Sequence, residues 1–297
     1  MSTATTSTAS VARTRLALAS LVGMAMLWGS TFFCTKALAG RIPVPDLLAL
    51  RFLIMTTVTG ALYWRHWRMS AETLRRGVAV GVVYGVAQLV QTIGLQYTDA
   101  SVSGFVTGLY VVFTPFMAAW LLRERIPGST WLAVVLATLG LAMLTVDPSH
   151  GLRIGLGEWL TLVGAVLYAV QIIGVDRWVT VENATSLTLV EMATVTVVTG
   201  LFALPDGITR PSSSTDWWVM LYLALVAGAI PIFLQVWAQT IIESTTAAVL
   251  MAGEPVWAAV FAVLLGGENL TWQIVFGGGA MFGAMMLVTM APRLRRR

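Results

Sequence analysis

From Leu16 to Ala291 the charged residues fall into short clusters, and the runs between them are apolar and about as long as a membrane is thick. A helix that crosses a bilayer needs about 20 consecutive, mainly apolar residues. Reading between charge clusters and turn residues gives ten such runs, at 16–39, 46–64, 75–97, 100–122, 130–146, 156–175, 186–204, 217–241, 244–265 and 271–291. The separations at Thr98-Asp99 and Glu243-Ser244 are the shortest. Composition closes off the soluble alternative. Only 11% of the 297 residues are charged and 57% are hydrophobic, whereas a soluble domain carries about 25% charged residues. The expected fold class is an all-α integral membrane protein of ten transmembrane helices.

Charge sets the expected orientation. With a cytoplasmic N-terminus, thirteen arginines fall on the inner side, among them Arg13, Arg65, Arg75, Arg123, Arg177 and Arg293. The outer side holds Lys36, Arg41, Arg153 and Arg210, and Arg51 lies inside a run. That asymmetry follows the positive-inside rule, fits an even number of spans, and places both termini in the cytoplasm. It also accounts for the net charge of +4 without nucleic acid as a partner. The first 15 residues are small and polar and are expected to be a disordered cytoplasmic segment. Residues 292–297 form a basic cytoplasmic tail. No cleavable leader is expected, because the first run is long enough to span and lacks an evident cleavage site. With one cysteine, Cys34, no internal disulfide can form.

The chain repeats itself. "VVYGVAQLVQTIGLQYTDASVSGFVTGLYVVF" from Val82 aligns without gaps on "VAGAIPIFLQVWAQTIIESTTAAVLMAGEPVW" from Val226. Gln91 then meets Gln235, Asp99 meets Glu243 and Glu124 meets Glu268, each 144 residues on. Upstream the offset is 140: Trp28-Gly29 falls on Tyr168-Ala169 and Arg51 on Glu191. Two five-helix copies are expected, at 16–147 and 155–291. Because five is odd, the second enters the membrane inverted. Inverted repeats are a transporter architecture, since two near-equivalent halves can rock about a midplane site.

"LWGSTFFCTKAL" at 27–38, "ALRFLIM" at 49–55, "FTPFMAAWLLRERI" at 113–126 and "GEPVWAAVFAVLLGGENLTWQIVFGGGAM" at 253–281 resemble the drug/metabolite transporter superfamily, and its EamA-type members in particular. The resemblance covers essentially the whole chain. It implies ten helices in two inverted repeats, cytoplasmic termini, a location in the bacterial inner membrane and export of small metabolites, amino acids or drugs. One departure is visible. Pro255 of the second half meets Val111 of the first, where the proline comes later, at Pro115, so the kinks of the fourth and ninth spans need not be equivalent.

Helical periodicity sorts the polar residues. Tyr84, Gln88 and Gln91 share one face of the third span, and Ser103, Thr107, Tyr110 and Thr114 one face of the fourth. Trp28, Thr31 and Thr35 line the first, Tyr168 and Gln171 the sixth, and Gln235 and Gln239 follow Pro231 in the eighth. Unpaired amides in hydrocarbon cost several kcal/mol, so they face protein or water. They line a substrate cavity or tie helices together at about 0.6 kcal/mol each. The cavity set is Trp28, Thr31, Tyr84, Gln88, Gln91, Thr107, Tyr110, Tyr168, Gln171, Gln235 and Glu254.

Glu254 stands beside Pro255 in the apolar stretch "MAGEPVWAAVFAVLLGGE". Proline frees the carbonyl one turn back and weakens the helix. Freed backbone is tolerated where it lines a cavity, so the acid is expected to border one, either as a proton-coupling carboxylate or as a neutral or hydrogen-bonded group that ties the ninth helix to a neighbour. Arg51 and Glu191 are expected to be structural, paired with each other or with their own helix ends, or in the case of Arg51 snorkelling outward. The four-residue glycine spacings at Gly77-Gly81-Gly85, Gly104-Gly108 and Gly279-Gly283 are expected to let helices approach closely. The tenth helix is a candidate homodimer face.

No catalytic or metal-ligand cluster is legible. The two histidines, His66 and His150, fall in loops on opposite sides, and no Walker motif is present. No enzyme and no cofactor are expected. The function expected is secondary or facilitated export of a small metabolite, an amino acid first. A lipophilic-cation exporter and a passive channel are the alternatives.

Overall fold

The computed structural model describes residues 3–123, 128–147, 151–152, 154–180, 182–205, 207–231, 234, 238, 241 and 250–290. Eleven α-helices are described: α1 Thr3–Ala39, α2 Val44–Leu62, α3 Ala71–Leu95, α4 Ala100–Gly108, α5 Tyr110–Leu122, α6 Gly128–Leu144, α7 Leu156–Trp178, α8 Ala184–Ala203, α9 Ser214–Leu221, α10 Glu254–Leu264 and α11 Gly278–Met290. Wide π-helical turns at Tyr222–Ala229 and Gln273–Gly277 continue α9 and precede α11. A two-residue antiparallel ladder, β1 Val146–Asp147 with β2 Gly151–Leu152, closes the loop between the halves.

Six stretches are long and apolar enough to cross a membrane, and Ala100–Leu121 (α4 with α5) is one of them. Shorter apolar helices at Thr130–Leu144, Glu254–Leu264 and Gln273–Val288 supply three more. The segment from Ser214 to Pro231 supplies the tenth. The protein is a ten-helix membrane protein of two five-helix repeats.

Helix α1 begins at Thr3 and its apolar part at Val11. Residues 3–10 contain neither glycine nor proline. Adding a turn to a formed helix avoids the nucleation cost.

The packing carries the internal symmetry. An inverted repeat exchanges each span with the one five places on, so contacts between spans two and seven, four and nine, and five and ten map onto themselves. All three are made, by α2 with α8, α4 with α10, and α6 with α11. Several of the larger remaining contacts come in matched pairs. α3 packs on α7 and α8, and the π-helical eighth span packs on α1 and α2 in the same way. α1 packs on α10 as α4 and α5 pack on α7.

Small residues set these distances, since lipid offers no hydrophobic drive between helices. A Cβ added at Gly77, Gly81 or Gly85 would meet Val190, Thr194 or Val198 of α8 at 2.7, 2.6 or 3.1 Å. The register rises together on both helices, so α3 and α8 run parallel, and α2, the hairpin partner of α3, runs antiparallel to α8. Gly104 and Gly108 make room for Ala258 and for the Pro255 ring of α10. The third stripe departs from expectation, because Gly279 and Gly283 have nothing within 4 Å. Among the described residues, no neighbour comes close enough to exclude a side chain at either position.

Exposed tryptophans gather at the helix ends. Trp64, Trp67, Trp120 and Trp131 lie at the ends that the charge rule assigns to the inside, and Trp159, Trp217, Trp218 and Trp272 at the opposite ends. Such aromatic belts mark the two membrane interfaces.

Candidate functional site

The fourth and ninth spans are discontinuous at matching points. Helix α4 stops at Gly108, Leu109 makes a single tight turn with its N–H on the Val106 carbonyl at 3.2 Å, and α5 starts at Tyr110. In the second half the chain turns at Ala252-Gly253 and α10 starts at Glu254. Leu109 and Gly253 are 144 residues apart, the repeat offset. The breaks are therefore equivalent, although the prolines are not. Pro255 occupies the first turn of α10, where its missing N–H is one of the helix's unsatisfied donors anyway. Rather than kinking the middle of a helix, it starts one. The two breaks meet, because a Cβ at Gly108 would lie 2.6 Å from Pro255 Cγ.

Glu254 thus sits in the first turn of a half-helix inside the membrane, where the dipole favours negative charge. No hydrogen bond or ion pair among the described residues holds its carboxylate. Helix α1 crosses this turn at Gly29, whose added Cβ would come within 2.8 Å of the Ala258 nitrogen and 2.9 Å of the Glu254 carbonyl oxygen. The glycine of the Trp-Gly-Ser motif is a contact point for backbone.

Three tyrosines from three spans converge here. Tyr84 of α3 and Tyr168 of α7 have ring centroids 5.7 Å apart. Phe52 of α2 stands edge-on to Tyr84 at 6.1 Å. Gln88 Nε2 donates to the Tyr84 hydroxyl at 3.0 Å. Tyr84 lies within electrostatic reach of Arg51, Glu191 and Glu254, Tyr168 of Arg51 and Glu254, and Tyr110 of Glu254. Gln171 Nε2 donates to Glu191 Oε1 at 2.6 Å, and Glu191 is buried. Charges from both halves and tyrosines from both halves therefore share one buried region.

Other expected cavity residues are placed differently. Thr31 donates its hydroxyl to the Trp28 carbonyl at 2.7 Å, one turn back on its own helix. Trp28 packs on an apolar cluster of Leu21, Met24 and Met251, just before the second break. Gln91 accepts from Thr92 Oγ1 at 3.3 Å and lies where Gly164 of α7 meets α3. Thr107 is buried, and its hydroxyl, like that of Ser103 one turn earlier, has no hydrogen-bond partner among the described residues. Gln235, together with Gln239, Glu243 and Glu124, lies outside the described residues.

Arg51 and Glu191 do not pair with each other, contrary to one expectation for them. Glu191 is taken by Gln171, and the Arg51 guanidinium, 5.7 Å from the Phe52 ring centroid, makes no ion pair or hydrogen bond among the described residues. The reason is geometric. The two helices run antiparallel and cross at Thr56 and Thr196, and each charge stands five residues before the crossing. At about 1.5 Å of rise per residue they lie on opposite sides of the crossing, about 15 Å apart along it. Spacing in the sequence located both residues but could not give this separation.

A concavity of about 800 Å³ opens at the end that the charge rule assigns to the outside, between Phe33, Lys36, Asp99, Leu144 and the 265–274 loop. None of the expected cavity residues lines it. Lys36 Nζ reaches Asp99 Oδ1 at 3.2 Å and donates to the Thr98 carbonyl at 2.8 Å. Glu268 caps α4, accepting from the Ala100 N–H at 2.6 Å, the Ser101 N–H at 3.3 Å and the Ser101 hydroxyl at 2.5 Å.

Inverted halves, half-helices that start inside the membrane and a buried polar centre between them define a membrane transporter. The chain belongs to the EamA-like transporter family, which matches residues 15–146 and 155–290. Among its relatives is an uncharacterized transporter of Archaeoglobus fulgidus, 25% identical over 90% of this chain and 83% of that protein. The uncharacterized transporter YetK of Bacillus subtilis is 23% identical over 93% and 88%. The threonine/homoserine exporter RhtA of Escherichia coli K12 is 27% identical over 92% and 90%. A crystal structure with 17% sequence identity superposes with a TM-score of 0.63 over 90% of this chain and 94% of the other, which speaks to the fold alone.

Proposed function

We propose that the protein exports a small metabolite, an amino acid first, across the bacterial inner membrane by alternating access, with both termini in the cytoplasm. The observation that carries this reading is the pair of matched breaks at Leu109 and Gly253. Half-helix ends at mid-membrane give a bound solute oriented backbone groups, and equivalent breaks in inverted halves let the two arrangements exchange. Rings, amides and charges around Tyr84 suit a zwitterion, and a full-length relative exports threonine and homoserine.

In this reading Glu254 is the proton-coupling group. Its carboxylate is held by no described neighbour and is free to exchange a proton. One observation favours a second reading. The Glu254 charge acts on Tyr84, Tyr110 and Tyr168, and aromatic rings with an acid also suit a lipophilic cation.

Flux in proteoliposomes discriminates. The purified protein is assayed with radiolabelled amino acids and with a lipophilic cation, with and without a pH gradient, beside Glu254→Gln. Amino-acid flux that the gradient stimulates and the substitution uncouples supports the proposal. Flux of the cation alone replaces the substrate. Flux equal in both conditions and in the variant removes the proton role.

A further inference from the structure

The geometry points to Arg51 as the residue that binds the carboxylate of a zwitterionic substrate, with the substrate's ammonium turned toward Glu254. This rests on the amino-acid reading above and specifies which groups recognise the substrate.

A charged side chain within a span requires a partner, water or neutralisation. Arg51 stands seven residues into α2, so the hydrophobic part of the helix surrounds it. Its Nε is fully buried and without a hydrogen-bond partner. The repeat places a carboxylate, Glu191, at the equivalent position, but Gln171 occupies it and the helix crossing holds it away. The contact Arg51 does make is with the Phe52 ring, which leaves the donor edge of the guanidinium unused. That planar fork fits a carboxylate bidentately.

The anion comes from the substrate because of what surrounds Arg51. Its guanidinium lies 5.7 Å from the Phe52 ring, Phe52 stands edge-on to Tyr84 at 6.1 Å, and Tyr84 lies 5.7 Å from Tyr168 of the second half; the charges of Arg51 and Glu254 both act on this tyrosine pair. Neither charge has a counterion among the described residues. A cation and an anion facing one region from opposite repeats match an α-amino acid, which carries one of each. Such a substrate also bridges the halves that must move relative to one another. Binding then supplies the pairing that Arg51 lacks when the site is empty.

The test compares threonine with threoninamide, which keeps the ammonium and the side chain but has no carboxylate. Counterflow of both is measured in proteoliposomes of the wild type, Arg51→Gln and Arg51→Lys, and each protein's melting temperature is recorded without substrate and with threonine. The expected result is a wild type that prefers threonine. Arg51→Gln loses that preference by about tenfold or more, the scale of one charged hydrogen-bonded contact. It also loses stabilisation by threonine while its substrate-free melting temperature holds or rises, since a buried unpaired charge has been removed. Arg51→Lys keeps part of the preference. An unchanged preference in Arg51→Gln overturns the assignment and leaves the amino-acid reading intact. So does a substrate-free melting temperature that falls in Arg51→Gln and is restored in Arg51→Lys with the preference unaltered. A wild type that carries neither compound, or only the amide, overturns the amino-acid reading and the assignment with it.

Discussion

Thr56 Oγ1 lies 3.2 Å from Thr196 Oγ1, and the two residues are 140 positions apart, the offset that aligns the N-terminal parts of the repeats. A residue that touches its own repeat equivalent lies on the axis relating the repeats. The crossing of α2 and α8 is therefore the centre of the molecule's internal symmetry, and inversion follows from their antiparallel course.

That contact is directly testable. In a Cys34→Ala background, Thr56→Cys with Thr196→Cys forms an intramolecular disulfide under mild oxidation, because the side-chain atoms are already in reach. Cleavage in the 147–155 loop then leaves the halves joined until reductant is added. Halves that separate without reductant place the axis elsewhere.

Close helix approach makes Gly29 intolerant. An added methyl meets backbone of α10 at 2.8 and 2.9 Å, atoms that no rotamer change can move. Gly29→Ala is expected to lower stability by about 1–3 kcal/mol, read as a fall in melting temperature in detergent. Gly23→Ala on the same helix has nothing within 4 Å and serves as the control, with no loss expected.

The two membrane acids differ in what they hold. Glu191→Ala orphans the half-buried Gln171 amide and is expected to cost about 1–3 kcal/mol, and Glu191→Gln far less. Glu254→Gln breaks no bond to a described residue, so its melting temperature is expected to stay near wild type. Equal losses in Glu191→Ala and Glu254→Gln would contradict this division.

Glu268 ties the ninth–tenth loop to the start of α4. Glu268→Ala removes three hydrogen bonds and a favourable charge from a helix N-terminus, a loss of about 1–2 kcal/mol. Hydrogen exchange should show the Ala100–Gly104 amides opening faster in the variant. Unchanged protection there would mean the cap is not formed in the membrane.

Much of the fold is legible in the chain because a bilayer imposes simple rules. Apolar runs of spanning length, charge asymmetry and the 140 and 144 offsets specify helices, expected orientation and inverted halves, since each depends only on local composition or spacing. The glycine stripes of α3 and α4 are legible for the same reason, but Gly279 and Gly283 look identical in sequence and have no close neighbour among the described residues. A small face says a helix can be approached, and only the neighbours decide whether it is.

The site divides along that line. Tyr84, Gln88, Tyr168 and Gln171 are found by helical period because each pair shares a face of one helix. Contacts between helices are out of reach of that reasoning. Thr31 is spent on its own backbone, Gln91 on a helix crossing, and Glu191 on Gln171 instead of Arg51. The sequence by itself determined the ten spans, their pairing into inverted halves and the presence of charges within the apolar runs, because solvation by lipid acts on each segment separately. Only the tertiary structure decided that the breaks at Leu109 and Gly253 coincide and that Arg51 is left without a counterion among the described residues. Both depend on which side of a helix crossing a residue falls, and that is a relation between segments rather than a property of any one.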